Sequence, residues 1–133
     1  MKQVLQSIER GRRVFLFLDY DGTLVPIRKT PEQATFPSSK RDLLKRLSRK
    51  AFVAIVSGRS LCEIQKLVAI RGIAYIGNHG LEVSYGQRRW IHAEAKRTGP
   101  VLKRVLKNIR HDTKDFPGVL VEDKRLTGAI HYR

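Results

Sequence analysis

The segment Val14-Phe15-Leu16-Phe17-Leu18-Asp19-Tyr20-Asp21-Gly22-Thr23-Leu24 decides the fold of this 133-residue chain. Its first five residues are all apolar, a pattern typical of a strand that is buried on both faces of a parallel sheet. Two acidic residues and a glycine follow at once. We therefore expect this strand to deliver a polar loop at its carboxyl end.

The neighbouring sequence alternates between helical and strand patterns. Strands are predicted at residues 51–56 and 73–76, helices at 4–8, 39–47 and 60–68, and an irregular, proline-containing loop at 25–37. This alternation predicts an α/β fold with a parallel, Rossmann-type sheet of the doubly wound kind. Because ligands bind beyond the carboxyl ends of such strands, Asp19, Asp21 and Ser57 should share one crevice.

The pattern changes after Gly80. A hairpin is predicted within residues 81–92, then a helix that opens at Pro100, and then strands at 118–122 and 129–132. We therefore predict two domains, with an α/β core at residues 1–82 and a second α/β unit at residues 83–133.

Asp19 and Asp21 form the candidate catalytic centre. Carboxylates this close repel each other unless a cation is bound, and magnesium is expected because it prefers oxygen ligands and phosphate. A carboxylate nucleophile can split phosphate-ester hydrolysis into two displacements, while a second acid protonates the leaving oxygen. The alternative is a plain polar turn. The apolar strand before the pair and Ser57-Gly58-Arg59 after the next strand favour the catalytic interpretation.

Composition narrows the class of partner. The net charge is +15, but the 27 lysines and arginines are spread from Lys2 to Arg133 without a long basic tract. This favours a small anionic substrate over nucleic acid. No apolar run approaches the roughly 20 residues of a membrane span, and the first ten residues have no secretory pattern. We therefore expect a cytoplasmic protein without membrane association.

Two motifs resemble those of the haloacid dehalogenase (HAD) superfamily: Phe17–Leu24 is similar to its first motif and Ile55–Arg59 to its second. Segments that narrow the resemblance to trehalose-6-phosphate phosphatases are 26–34, 77–82, 121–124 and 131–133. The resemblance covers essentially the whole chain. It implies a HAD-like Rossmann-type core with an incomplete α/β cap. It also implies a phosphoric monoester hydrolase that converts trehalose 6-phosphate to trehalose and phosphate through an aspartyl-phosphate.

The same resemblance implies roles for individual residues. Asp19 would be the nucleophile and Asp21 the general acid and base, with Mg²⁺ held by the Asp19 carboxylate and the Asp21 main-chain oxygen. The substrate-binding residues would be Ser57, Gly58, Arg59, His79, Glu122, Lys124 and Arg133. The alternative for Glu122 and Lys124, considered alone, is a weak surface ion pair. The alternative for His79 is that it completes a turn and has no role in binding.

Members of the superfamily complete the site with a later lysine and a later acidic pair, and these 133 residues end before both. The sequence thus resembles roughly the N-terminal half of such an enzyme. A missing C-terminal half or a second chain would then complete the site. Loss of one electrostatic group costs about 10² to 10³ in rate, so we expect little or no turnover from the isolated chain. Robust Mg²⁺-dependent phosphate release by purified residues 1–133 would contradict this expectation.

Two alternatives stay open at this point. Related HAD phosphatases act on sucrose phosphate or glycosyl phosphoglycerates, and a substrate panel would separate them from a trehalose-6-phosphate phosphatase. A non-catalytic, regulatory remnant would instead bind phosphate without hydrolysing the ester.

Overall fold

The computed structural model describes residues 13–27 and 35–132. The chain divides into two compact units, Met1–Arg89 and Trp90–Arg133. The predicted helix at 4–8, the middle of the predicted loop at 25–37, and Arg133 lie outside the described residues. The functional division into a core at 1–82 and a cap at 83–133 stays a prediction.

A five-stranded sheet follows the order of the chain. Its strands are β1 (Phe15–Asp19), β2 (Phe52–Val56), β3 (Ala74–Gly77), β4 (Glu82–Tyr85) and β5 (Arg88–Ile91). The first three strands are parallel, and β4 is antiparallel to β3. The predicted α/β Rossmann-like fold is therefore confirmed, and the predicted hairpin extends its sheet as β4 and β5.

Two helices connect the parallel strands, α1 (Ser38–Leu47) and α2 (Leu61–Val68). Ser60 caps α2, as its spacing from Glu63 predicted, because its side-chain oxygen accepts a hydrogen bond from the Glu63 amide at 3.3 Å. The cap fixes the start of α2 close to the loop that follows β2. The position of that loop matters for the candidate site.

Both helices pack on the same face of the sheet. Leu16 and Leu18 of β1 contact the buried cluster to which α1 and α2 contribute. Phe15 and Phe17 on the opposite face are 59% and 61% exposed. The prediction of a strand buried on both faces is thus wrong for the part of the chain that the structure describes, because both crossovers cover one face.

The second unit consists of α3 (Ala93–Asp112) and the antiparallel strands β6 (Val119–Asp123) and β7 (Gly128–Tyr132). The two strands confirm the prediction, but α3 begins before Pro100. The Lys96 amide already donates to the His92 carbonyl at 3.1 Å in its first turn, and the Ala, Glu and Lys residues before the proline are strong helix formers. Among the described residues, no helix combines the length and apolar character that crossing a membrane requires.

Candidate active site

The carboxyl ends of β1 and β2 lie side by side. Asp19, the last residue of β1, is in register with Val56, the last residue of β2. The Tyr20 amide then donates to the Val56 carbonyl at 3.1 Å, which extends the pairing beyond the strands. The structure therefore brings the loop after Asp19 next to the loop that begins at Ser57, as the topology of a parallel sheet predicts.

The loop after β1 is a tight turn that its own backbone closes. The Gly22 amide donates to the Val25 carbonyl at 2.8 Å. Gly22 has a φ of 87°, which glycine adopts without the strain that a Cβ would cause. Thr23 Oγ1 donates to the Asp19 carboxylate at 3.3 Å. The turn thereby orients the Asp19 carboxylate at an exposed position beyond the strand end.

Arg59 connects the loop after β2 to Asp21. Its Nε and Nη2 atoms donate to the two carboxylate oxygens of Asp21, each at 2.9 Å, and Nη1 donates to Glu63. Sequence reasoning placed Arg59 in the crevice as a substrate-binding residue. It did not identify Asp21 and Glu63 as the partners of the guanidinium.

Ser57 is buried at the start of the same loop. Its amide donates to the Ile76 carbonyl at 2.9 Å, and its hydroxyl oxygen accepts a hydrogen bond from the Arg59 amide at 3.1 Å. A hydroxyl that accepts one hydrogen bond still has a proton to donate. The Ser57 hydroxyl is therefore suited to bind an anionic oxygen.

His79 lies against Gly58. A Cβ added at Gly58 would be 2.5 Å from His79 Cε1, and the His79 amide donates to the Ser57 carbonyl at 3.2 Å. Asn78, His79 and Gly80 have φ values of 48°, 57° and 97°. Non-glycine residues in this region are strained and persist where the surroundings fix them, often at functional sites. The structure thus brings three predicted substrate-binding residues together: Ser57, Gly58 and His79.

Glu82, which sequence reasoning did not single out, anchors this strained loop from β4. One of its carboxylate oxygens accepts hydrogen bonds from the Leu61 amide at 3.2 Å and the Asn78 side chain at 2.7 Å, and the other accepts one from Arg89 at 2.7 Å. Burial raises the pKa of Glu82, but the hydrogen bonds from Arg89, Leu61 and Asn78 together outweigh burial and lower it. An acidic residue inside an otherwise apolar strand pattern was the signal that could have indicated this anchor.

Glu82→Gln is expected to lower the free energy of unfolding at neutral pH by about 1.5 to 3 kcal/mol, the range for hydrogen bonds to a charged group. Because folding lowers the pKa of Glu82, its ionised form stabilises the protein above the unfolded-state pKa of about 4.3. That stabilisation is lost as pH falls through the folded-state pKa. Urea denaturation at a series of pH values should therefore show a steeper acid loss in the wild type than in the variant. The exposed Glu94 of α3 provides the Glu94→Gln control, and equal effects of the two substitutions would contradict the prediction.

In the second unit, Glu122, Lys124 and His131 form a polar cluster on the β6–β7 hairpin. Glu122 Oε2 is 3.6 Å from Lys124 Nζ and 2.9 Å from His131 Nε2. Glu122 and Lys124 are therefore neighbours, as their spacing in a strand predicts. Sequence reasoning did not assign His131 to the site. The hairpin register, which pairs Leu120 with His131, could have placed it on this face.

The adjoining ends of the parallel strands β1 and β2 carry Asp19-Tyr20-Asp21 and Ser57-Gly58-Arg59, so the chain is an α/β Rossmann-like protein with a polar site at its strand ends. A haloacid dehalogenase-like hydrolase from B. subtilis has the same fold, with a TM-score of 0.52 and 18% identity, covering 72% of this chain and 34% of its own. The Trehalose-phosphatase family model matches residues 17–133. The chain therefore belongs to the trehalose-phosphatase family.

Two relatives show the extent of the similarity. Trehalose-phosphate phosphatase B of Arabidopsis thaliana is 32% identical, covering 93% of this chain and 36% of its own length. The crystal structure of a trehalose-6-phosphate phosphatase related protein superposes with a TM-score of 0.79 and 32% identity, covering 88% of this chain and 51% of its own. The chain thus spans between a third and about half of the length of these relatives.

Proposed function

We propose that the protein hydrolyses trehalose 6-phosphate to trehalose and inorganic phosphate in the cytoplasm. The observation that carries the proposal is the junction of the Asp19–Asp21 loop with the Ser57–Arg59 loop, in a chain that belongs to the trehalose-phosphatase family. The sugar phosphate is the small-molecule partner. The later lysine and acidic pair of the family would come from elsewhere in the full-length protein or from a second chain.

The proposed reaction has two displacements. A carboxylate oxygen of Asp19 forms a bond to phosphorus while the bond between phosphorus and the sugar oxygen breaks, and Asp21 gives its proton to that oxygen. Water then attacks the phosphorus of the aspartyl-phosphate and passes a proton to Asp21. The bond between phosphorus and the Asp19 oxygen breaks, so phosphate leaves and the Asp19 carboxylate is restored. The Ser57 hydroxyl, already oriented by the Arg59 amide, donates to a phosphoryl oxygen in both steps.

The oxygen donors of the turn fit Mg²⁺ better than Zn²⁺. Asp19 offers an exposed carboxylate, and by resemblance to the family Asp21 would contribute its main-chain oxygen, which leaves its carboxylate paired with Arg59. Over residues 13–27 and 35–132, no group of three His, Cys, Asp or Glu side chains could hold a metal by itself. Mg²⁺ commonly uses one or two carboxylates, waters and substrate phosphate. When bound, it would neutralise charge that develops on the phosphoryl group.

The polar cluster of the second unit, with Arg133, is proposed to bind the sugar hydroxyls. In the full-length protein, Glu122→Gln is expected to raise the KM for trehalose 6-phosphate roughly 10- to 100-fold, because a hydrogen bond to a charged group is lost. The value of kcat should change little, since a sugar contact is made equally in the ground and transition states. Asp123→Asn is the matched control on the exposed neighbour in β6. Steady-state kinetics that gave both variants the same KM would contradict the assignment.

A substrate panel tests the proposed function itself. The full-length protein, with Mg²⁺, would be assayed for phosphate release from trehalose 6-phosphate, sucrose 6-phosphate and a glucosyl phosphoglycerate. We expect the highest kcat/KM for trehalose 6-phosphate. Equal or higher values for another substrate would overturn the choice of sugar, and binding without hydrolysis of any of them would favour a regulatory protein.

A further inference from the structure

The guanidinium of Arg59 is held on several sides within the first unit. Arg59 is only 8% exposed. Its Nε and Nη2 atoms donate to Asp21 Oδ2 and Oδ1, both at 2.9 Å, which is the two-point geometry that a planar guanidinium forms with a carboxylate. This arrangement fixes both the position of the Asp21 carboxylate and the plane in which it lies.

Two further contacts fix the guanidinium itself. Its Nη1 atom donates to Glu63, and its central carbon lies 5.5 Å from the centroid of the buried Tyr20 ring. Glu63 is in turn placed by the Ser60 cap of α2. The hydrogen bond that Arg59 donates to Asp21 raises the pKa of Arg59, burial lowers it, and the hydrogen bond donated to Glu63 raises it further, so the net direction is upward. Arg59 is therefore a charged and rigid support.

The Asp21 side chain would be mobile without this support. It is 40% exposed, and it projects from a loop rather than from a strand. Proton transfer requires the carboxyl group to be within hydrogen-bond reach of the leaving oxygen, and a misplacement of about 1 Å can reduce the rate by roughly 10²-fold. The two hydrogen bonds from Arg59 use one lone-pair position on each Asp21 oxygen, so the other position remains for the proton that is transferred. The two-point pair therefore restricts the exposed carboxyl group to one orientation without occupying its proton site.

We propose that Arg59 is a positioning residue that holds the Asp21 carboxyl group in its orientation for proton transfer, and not a ligand of the sugar or of the phosphate. The inference rests on the proposed function of Asp21 as general acid and base. The positioning role replaces the substrate-binding role that the sequence predicted for Arg59, because a contact with substrate would compete with the two hydrogen bonds that Arg59 already donates to Asp21.

Kinetics of the full-length protein distinguish these two roles. Arg59→Gln is expected to lower kcat on the order of 10²-fold, the effect of misplacing a catalytic group. Its KM for trehalose 6-phosphate should stay within about threefold, since no substrate contact is removed. Arg59→Lys keeps the charge but lacks the planar fork, so it should recover little of the lost kcat. A higher KM with unchanged kcat in either variant would overturn the proposal.

A structural measurement tests positioning without turnover. Crystal structures of the full-length wild type and of Arg59→Gln should show one Asp21 conformer in the former and several conformers, or a displaced one, in the latter. Thermal unfolding would establish that the variants are folded. If Arg59→Gln does not fold, the crystal structure of Arg59→Lys would be compared with that of the wild type instead. Lys66→Gln, on the exposed side of α2, is the control for a lost surface charge. An unchanged Asp21 conformer in the Arg59 variants would overturn the inference, whether or not the wild type has phosphatase activity. A wild type that is inactive on every sugar phosphate would instead overturn only the proposed function.

Discussion

Asp19→Asn in the full-length protein is expected to reduce the rate of phosphate release from trehalose 6-phosphate by roughly 10⁴- to 10⁶-fold, the range seen when a member of a nucleophilic catalytic unit is removed. An amide is a poor nucleophile and cannot form the aspartyl-phosphate. The fold should tolerate the change, because the Asp19 side chain is exposed and Thr23 Oγ1 is its hydrogen-bond donor. Phosphate release and thermal unfolding, measured on the same preparation, would separate lost chemistry from lost structure.

The matched control is Asp42→Asn in α1. Asp42 is also exposed, with Lys45 as an ion-pair partner at 3.7 Å, so this substitution removes the same charge from the same kind of surface. The control should keep full activity. If Asp19→Asn kept more than about one hundredth of the wild-type rate, well above the predicted range, another group would have to attack phosphorus.

The meeting of the two loops could be predicted from the sequence because it follows from topology. Parallel strands end at one edge of a sheet, so Asp19 and Ser57 had to approach each other once both strands were recognised. The contact of Arg59 with Asp21 could not be predicted in the same way. It depends on the conformations of two side chains 38 positions apart, on which the strand and helix patterns carry no information.

The environment of β1 shows a different limit. All of its residues before Asp19 are apolar, so the pattern gave no sign of an exposed face. The structure packs the partly buried Leu16 and Leu18 against the core and exposes Phe15 and Phe17, because both crossover helices pack on one side. Which face a helix covers is set by long-range packing. A continuous apolar run cannot report it.

The start of α3 was predicted too late for a related reason. Proline is favoured in the first turn of a helix, so Pro100 looked like a helix start. In the structure it lies inside a helix that begins at Ala93 and buries Ala95. The buried residue shows that tertiary packing, together with the helix-forming residues before the proline, determined the boundary.

Gly77→Ala is expected to lower the free energy of unfolding by about 3 kcal/mol, the upper part of the usual range for overpacking. A Cβ at this position would be 2.5 Å from the Leu61 amide nitrogen, 2.7 Å from Leu61 Cα and 3.1 Å from the Arg59 carbonyl oxygen. These are backbone atoms at the start of α2, so they cannot rotate away as a side chain could. The end of β3 and the start of α2 would have to separate.

The same substitution should also disturb the candidate site. The Arg59 carbonyl accepts a hydrogen bond from the Asn78 amide at 2.7 Å, and the Leu61 amide donates to Glu82 at 3.2 Å. Both bonds cross the junction that the methyl group would open. Gly99→Ala is the matched control, because a Cβ there meets no atom within 4 Å and alanine in a helix interior is favoured by roughly 0.5 to 1 kcal/mol. Urea denaturation followed by circular dichroism should therefore give effects of opposite sign. Equal stability of Gly77→Ala and the wild type would show that β3 and α2 do not approach each other this closely.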